Sequence, residues 1–153
     1  MANPLLPLMK HLLIEGPARR RTYAQLGAAL DRAAAKLEPR LSAAPDTAAN
    51  REQLRHIVGI ERWGQRRLRV ALGEPPVADE MDDYMPPADS SMDELRTAFA
   101  SARRETTVLA RQLEARAVDG GTRVEHNQFG PLSVRGWLSY LATHASFEGK
   151  RVR

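Results

Sequence analysis

Ser91–Leu113, reading SMDELRTAFASARRETTVLARQL, decides how this chain folds. Leu95, Phe99, Ala102, Thr106, Leu109 and Leu113 recur four and three residues apart, the spacing that turns one stripe of an α-helix toward a core. Ser91 and Glu94 form a capping-box pattern: the hydroxyl can accept from the N–H three residues on, and the carboxylate can reach back. Gly120-Gly121 closes the region.

The same period recurs on both sides. A first helix is predicted from about Arg19 to Pro39 on Tyr23, Leu26, Leu30, Ala33 and Leu37. A second is predicted from about Ala49 to Leu72, closed by Gly73 and the Pro75-Pro76 pair, and a fourth opens after Pro131 with Ser133 as N-cap and runs to about Gly149. Leu5–Ile14, cut off by Gly16-Pro17, reads as a short helix or a bent start of the first, and Leu41–Asn50 reads as a connection. The acidic, proline-containing stretch from Glu74 to Asp89 reads as a long loop, and Thr122–Glu125 is short and extended. Amphipathic helices of roughly 17 to 25 residues do not bury their stripes alone. The fold class is therefore all-α, a four-helix bundle, with residues 1–153 as one domain. The long second connection is compatible with a crossover.

Composition narrows the chemistry. The chain has no cysteine, which removes disulfides and thiolate ligands and suits a reducing cytoplasm. Lys10 and His11 interrupt the apolar start, Met1–Ile14, and no small-residue cleavage site follows, so no signal peptide is read. No apolar run reaches the ~20 residues that span a bilayer, so a soluble, cytoplasmic protein without membrane contact is expected. Lys and Arg number 23 against 19 Asp and Glu, giving +4. Arg19-Arg20-Arg21 and Arg66-Arg67 read as solvated helix faces rather than a nucleic-acid footprint, since no helix-turn-helix or zinc-finger spacing accompanies them. There is no phosphate loop, nucleophile elbow or HExxH motif.

What remains is histidine and carboxylate. His144 and Glu148 are four apart and continue the apolar stripe of Trp137 and Leu141, so they stand one above the other on the inner side of the fourth helix. Such groups must be hydrogen-bonded, paired or bound to a metal; Glu148 orienting His144, or both reaching solvent at the helix end, are the alternatives. His56 lies with Ile60 and Trp63 on the flank opposite the main arc of Leu54, Ile57, Val58, Leu68 and Leu72. The second helix thus has two apolar sides, as expected if one faces the bundle and the other a partner subunit. Glu52 and Glu61 read as surface partners of Arg55, Arg62 or Arg66 rather than as acceptors behind His56, and His126 reads as a surface loop histidine that could alternatively close the site. Trp63 and Trp137 read as core or interface aromatics.

Leu54–Trp63 (LRHIVGIERW), Asp82-Asp83-Tyr84, Ala102–Glu105 (ARRE) and His126–Glu148, taken together and in this order, resemble the DinB/YfiT-like metalloenzyme family. The resemblance implies an up-up-down-down four-helix bundle, often a homodimer, with a divalent metal held at one end of the core. Carried over, His56 is the ligand of the second helix, His144 the first of the pair in the fourth, and Glu148 stands where many members have a second histidine. A His, His, carboxylate set suits zinc, nickel, iron or manganese and leaves positions open. The implied activity is a thiol-dependent S-transferase using a low-molecular-weight thiol, or a related hydrolase or isomerase, acting on an unidentified small molecule. Departures are Glu148 itself, Ala48-Ala49-Asn50 where members often carry tryptophan, and Gly149 so soon after Glu148. They favour the rival reading, a metal-free dimeric bundle that binds a small molecule or partner. A stress-linked protein touching nucleic acid through its arginines is a third.

Overall fold

The computed structural model describes residues 3–153; Met1 and Ala2, part of the apolar start, lie outside it. The chain opens with α1 (Leu5–Met9), widens into a π-helical turn over Lys10–Glu15 and closes with α2 (Gly16–Ala18). Pro17 has no N–H to give and its ring crowds the preceding turn, which accounts for the widening. Gly16 donates to the carbonyl of His11, and a Cβ there would lie 2.7 Å from that oxygen.

Four long helices follow: α3 (Tyr23–Ala43), α4 (Ala48–Ala71), α5 (Met92–Ala115) and α6 (Val134–Gly149). Each starts on a hydroxyl cap, Thr22, Thr47, Ser91 and Ser133, and Ser91 with Glu94 makes the expected capping box. Thr22 and Gln25 make a second one, which sets the start of α3 later than Arg19. Pro39 does not end that helix but lies inside it, because Leu37 and Leu41 on either side are buried and carry the stripe on. The link to α4 shrinks to residues 44–47.

The all-α bundle is as expected, but its helix directions are not the up-up-down-down implied by resemblance. Asp31 accepts from Thr107 and the Leu41 carbonyl from Arg96, so α3 and α5 are antiparallel. Glu61 meets Arg103 and the Leu72 carbonyl meets Arg116, so α4 and α5 run parallel. Gln53 meets Glu148 while Gly64 abuts Leu141, so α4 and α6 are antiparallel. The order is up-down-down-up. A four-residue link forces reversal between α3 and α4, whereas the long stretch after Gly73 returns the chain to start α5 in the same direction as α4.

That stretch is ordered by Asp79, whose carboxylate receives Arg67 at 2.6 Å and the hydroxyl of Tyr84, while its carbonyl receives Trp63 and Asn127. A 3-10 turn, Met81–Tyr84, then lies against α4. Gly59 makes room for it: a Cβ there would come 2.7 Å from Met85. Before α6, β1 (Arg123–His126) and β2 (Gly130–Ser133) form an antiparallel hairpin with His126 opposite Gly130. Gly130 has φ +66°, a conformation glycine adopts without strain. The hairpin is pinned by Trp137, whose indole N–H donates to the Val124 carbonyl at 3.0 Å.

Two apolar clusters fill the bundle, one around Leu26, Leu30, Trp63, Leu109 and Trp137, the other around Leu37, Leu54, Ile57, Leu95 and Phe99. The second apolar side of α4 does not face a partner subunit as expected: Ile60 and Trp63 are buried within the chain. Close helix approach has a price in tolerance to substitution. A Cβ at Gly64 would lie 2.5 Å from a Leu141 methyl. Gly64→Ala should therefore lower stability by about 1–3 kcal/mol through overpacking, against the ~1 kcal/mol that alanine otherwise gains in a helix. Thermal unfolding followed by circular dichroism would show it, and an unchanged or raised midpoint would contradict the close packing of α4 on α6.

Candidate metal centre

α4 and α6 present His56, His144 and Glu148 to one another. The Nε2 atoms of His56 and His144 are 3.2 Å apart. One ligand atom from each histidine and one Glu148 oxygen lie within 4.8 Å of each other, so the group could hold a metal ion. Two nitrogens bound tetrahedrally to one ion at ~2.0–2.1 Å would be about 3.3 Å apart, close to what the chain sets up unaided. The donor set is also chemically suitable, two imidazoles and a carboxylate with no competing thiolate.

Glu148 sits in the last turn of α6, yet that turn is held. Gln53 donates to its Oε2 at 2.7 Å and Arg151 reaches the same oxygen at 3.1 Å, which leaves Oε1 for another partner. Just beyond, Val152 is buried and Asn50 exchanges two hydrogen bonds with the backbone of Arg153. The carboxylate is thereby oriented from behind, as ligating carboxylates usually are. Burial and the neighbouring His56 hold the His144 imidazole down at about 4, so at neutral pH it is uncharged and its lone pair is available.

The three residues lie at the edge of a cavity of about 570 Å³. Met9, Leu13 and Ile14 of the N-terminal segment form one wall, Glu80 and Met81 another, the hairpin turn a third and Tyr140, Thr143 and Phe147 of α6 a fourth. The acidic loop thus does more than connect two helices. The N-terminal segment is fastened over the hairpin by Lys10, which donates to the carbonyls of Phe129 and Pro131 at 3.0 and 2.6 Å. Glu15 secures its other end, accepting from the Ser133 N–H and hydroxyl, both at 2.7 Å. Tyr140 lies beside His144, and burial together with Glu148 pushes its phenol pKa up, so the hydroxyl keeps its proton.

Three expectations from sequence are corrected, the first being that Arg67 lies on a solvated helix face: it is 1% exposed and pairs with Asp79. Glu61 is not a surface partner of Arg55, Arg62 or Arg66; it is 1% exposed and takes both forks of Arg103 at 2.9 and 3.0 Å. Glu52 does pair with Arg55 at the surface, so neither carboxylate stands behind His56. His126 is not a surface histidine. It is 2% exposed, enclosed by Trp63, Trp137, Phe129 and Tyr140 with ring centroids 4.8–5.0 Å away. The extended reading of Thr122–Glu125 held the clue, since a strand paired with Gly130–Ser133 carries its last residue inward.

Burial and Arg67 lower His126 from 6.5 to about 4. Below pH 6.5 the unfolded chain takes up a proton that the folded chain refuses, so this contribution to stability is complete above that pH and lost as pH falls toward 4. At ~1.4 kcal/mol per pKa unit, the loss at pH 4 is roughly 3 kcal/mol. Urea unfolding from pH 7 to 4.5 should show a shallower acid decline in His126→Phe than in the unaltered chain; parallel declines would contradict a neutral, buried His126.

The chain is thus a helical bundle with a histidine and carboxylate cluster beside a cavity. The DinB superfamily model matches residues 17–146, and the chain belongs to that superfamily. No curated protein and no solved structure gives a significant match.

Proposed function

We propose that the protein is a metal-dependent enzyme of the DinB superfamily, with His56, His144 and Glu148 as ligands of one divalent ion, zinc, nickel, iron or manganese. The observation that carries this is the 3.2 Å approach of two imidazole nitrogens with a braced carboxylate beside them, opening on an apolar cavity. An ion held there would supply a Lewis acid able to make a nucleophile of water or of a low-molecular-weight thiol near neutral pH. The chain's own part is to hold the donors, through Gln53 and Arg151, and to offer the substrate apolar walls. The reaction class this supports is S-transfer from a small thiol or a related hydrolysis or isomerisation.

The cobalt(II)-loaded protein titrated with β-mercaptoethanol tests the thiol branch. A sulfur-to-cobalt charge-transfer band is expected; a spectrum that does not change would eliminate thiol activation and leave water. A second reading has its own support: 3.2 Å also suits an N–H···N hydrogen bond between His56 and His144, as in a metal-free bundle that binds a small molecule. Chelator then leaves the melting temperature unchanged, whereas a metal protein loses stability by linkage. We further propose that residues 1–153 act as one domain, in the cytoplasm and as a homodimer; among the described residues no helix is long and apolar enough to cross a membrane.

A further inference from the structure

We propose that His126 is the hydrogen-bond donor for an uncharged, carbonyl-type oxygen on an apolar substrate held in the cavity. The hairpin turn decides which ring nitrogen carries the proton. His126 Nδ1 accepts from the backbone N–H groups of Gln128 and Phe129 at 3.1 and 3.3 Å, so the proton is on Nε2. That Nε2 is buried and has no partner among the described residues, while the side chain lines the cavity. An unmet buried donor costs roughly 1–3 kcal/mol, which a ligand oxygen would relieve.

The surrounding charges select the kind of oxygen. Among the described residues that line the cavity there is no lysine or arginine, and the carboxylates are Glu80 and Glu148. Lys10 is committed to two backbone carbonyls and Arg67 to Asp79. Unless an ion is held by His56, His144 and Glu148, a carboxylate or phosphate would find no counter-ion among these side chains, and the imidazole, held at about 4, stays neutral rather than becoming one. With Met9, Leu13, Phe129 and Phe147 as walls, the fitting ligand is an apolar ketone, aldehyde, ester or amide. Donation by His126 goes beyond the metal reading and does not require a metal to be held.

The test compares acetophenone with α-methylstyrene, which has the same shape but a CH2 in place of the oxygen, and with benzoate. Binding to the full chain is followed by tryptophan fluorescence, because Trp63 lines the cavity. Acetophenone should bind about fivefold more tightly than α-methylstyrene, the worth of one neutral hydrogen bond, and, in protein freed of metal with EDTA, more tightly than benzoate. In His126→Asn, which can keep the acceptor for the turn but lacks the distal donor, the two neutral probes should bind alike. On the unaltered chain labelled with ¹⁵N-histidine, acetophenone should shift the Nε2 resonance of His126 and α-methylstyrene should not. Equal binding of the neutral probes, a preference that survives in His126→Asn, or an Nε2 resonance that acetophenone leaves in place would each overturn the proposal. Repeating the titration after EDTA separates the two ideas: a preserved preference without metal keeps His126 as donor even if the metal reading fails.

Discussion

Arg103→Ala is expected to destabilise the protein by about 3–5 kcal/mol, because it strands a carboxylate in the core. Arg103 and Glu61 are 2% and 1% exposed. The guanidinium gives both forks to Glu61, and it also donates to the carbonyls of Leu30 at 2.9 Å and Leu141 at 3.2 Å. It thereby ties α3, α4 and α6 together one turn before His144. Among the described residues Thr106 alone, at 2.7 Å, would remain to stabilise the charge on Glu61. At ~2–4 °C per kcal/mol for a chain of this size, the melting midpoint should fall by roughly 10 °C or more. Glu61→Leu combined with Arg103→Met removes both charges and should recover much of the loss, giving a large coupling in a double-mutant cycle. A fall below about 1 kcal/mol for Arg103→Ala, as for an exposed pair, would contradict the structural role assigned to this arginine.

His144→Ala is expected to weaken zinc binding by more than the ~10–100-fold typical of residues that only support a ligand, while leaving helix content unchanged. Gln53→Ala should fall within that smaller range, since Gln53 braces Glu148 rather than offering a donor to the ion. Isothermal titration with zinc and far-ultraviolet circular dichroism together distinguish these outcomes. Equal, small effects of the two substitutions would place the ion elsewhere or nowhere.

The helices were legible because their information is local. Every residue of the stripe from Leu95 to Leu113 is buried, Ser91 and Ser133 cap as read, and the i, i+4 spacing of His144 and Glu148 puts both on one side of α6. His56 was legible as a flank residue, and the structure brings it to His144. What local spacing does not encode is which distant side chain answers a given one. Glu61 has arginines one and five residues away, so a surface pair was as consistent with periodicity as the buried partner 42 residues on. His126 needed a strand containing Pro131, with no alternation to mark it, and aromatic neighbours from α4 and α6. Helix direction was hidden for the same reason: the length of residues 74–89 permits either return, and its path depends on Asp79 meeting Arg67 and Asn127.

The most direct test of the central claim is metal content, measured by inductively coupled plasma mass spectrometry on untagged protein purified without chelator and again after zinc reconstitution. Close to one equivalent per chain, lost in His144→Ala, is the expected result. Protein that stays metal-free after reconstitution, or holds the same metal with His144 removed, would contradict it.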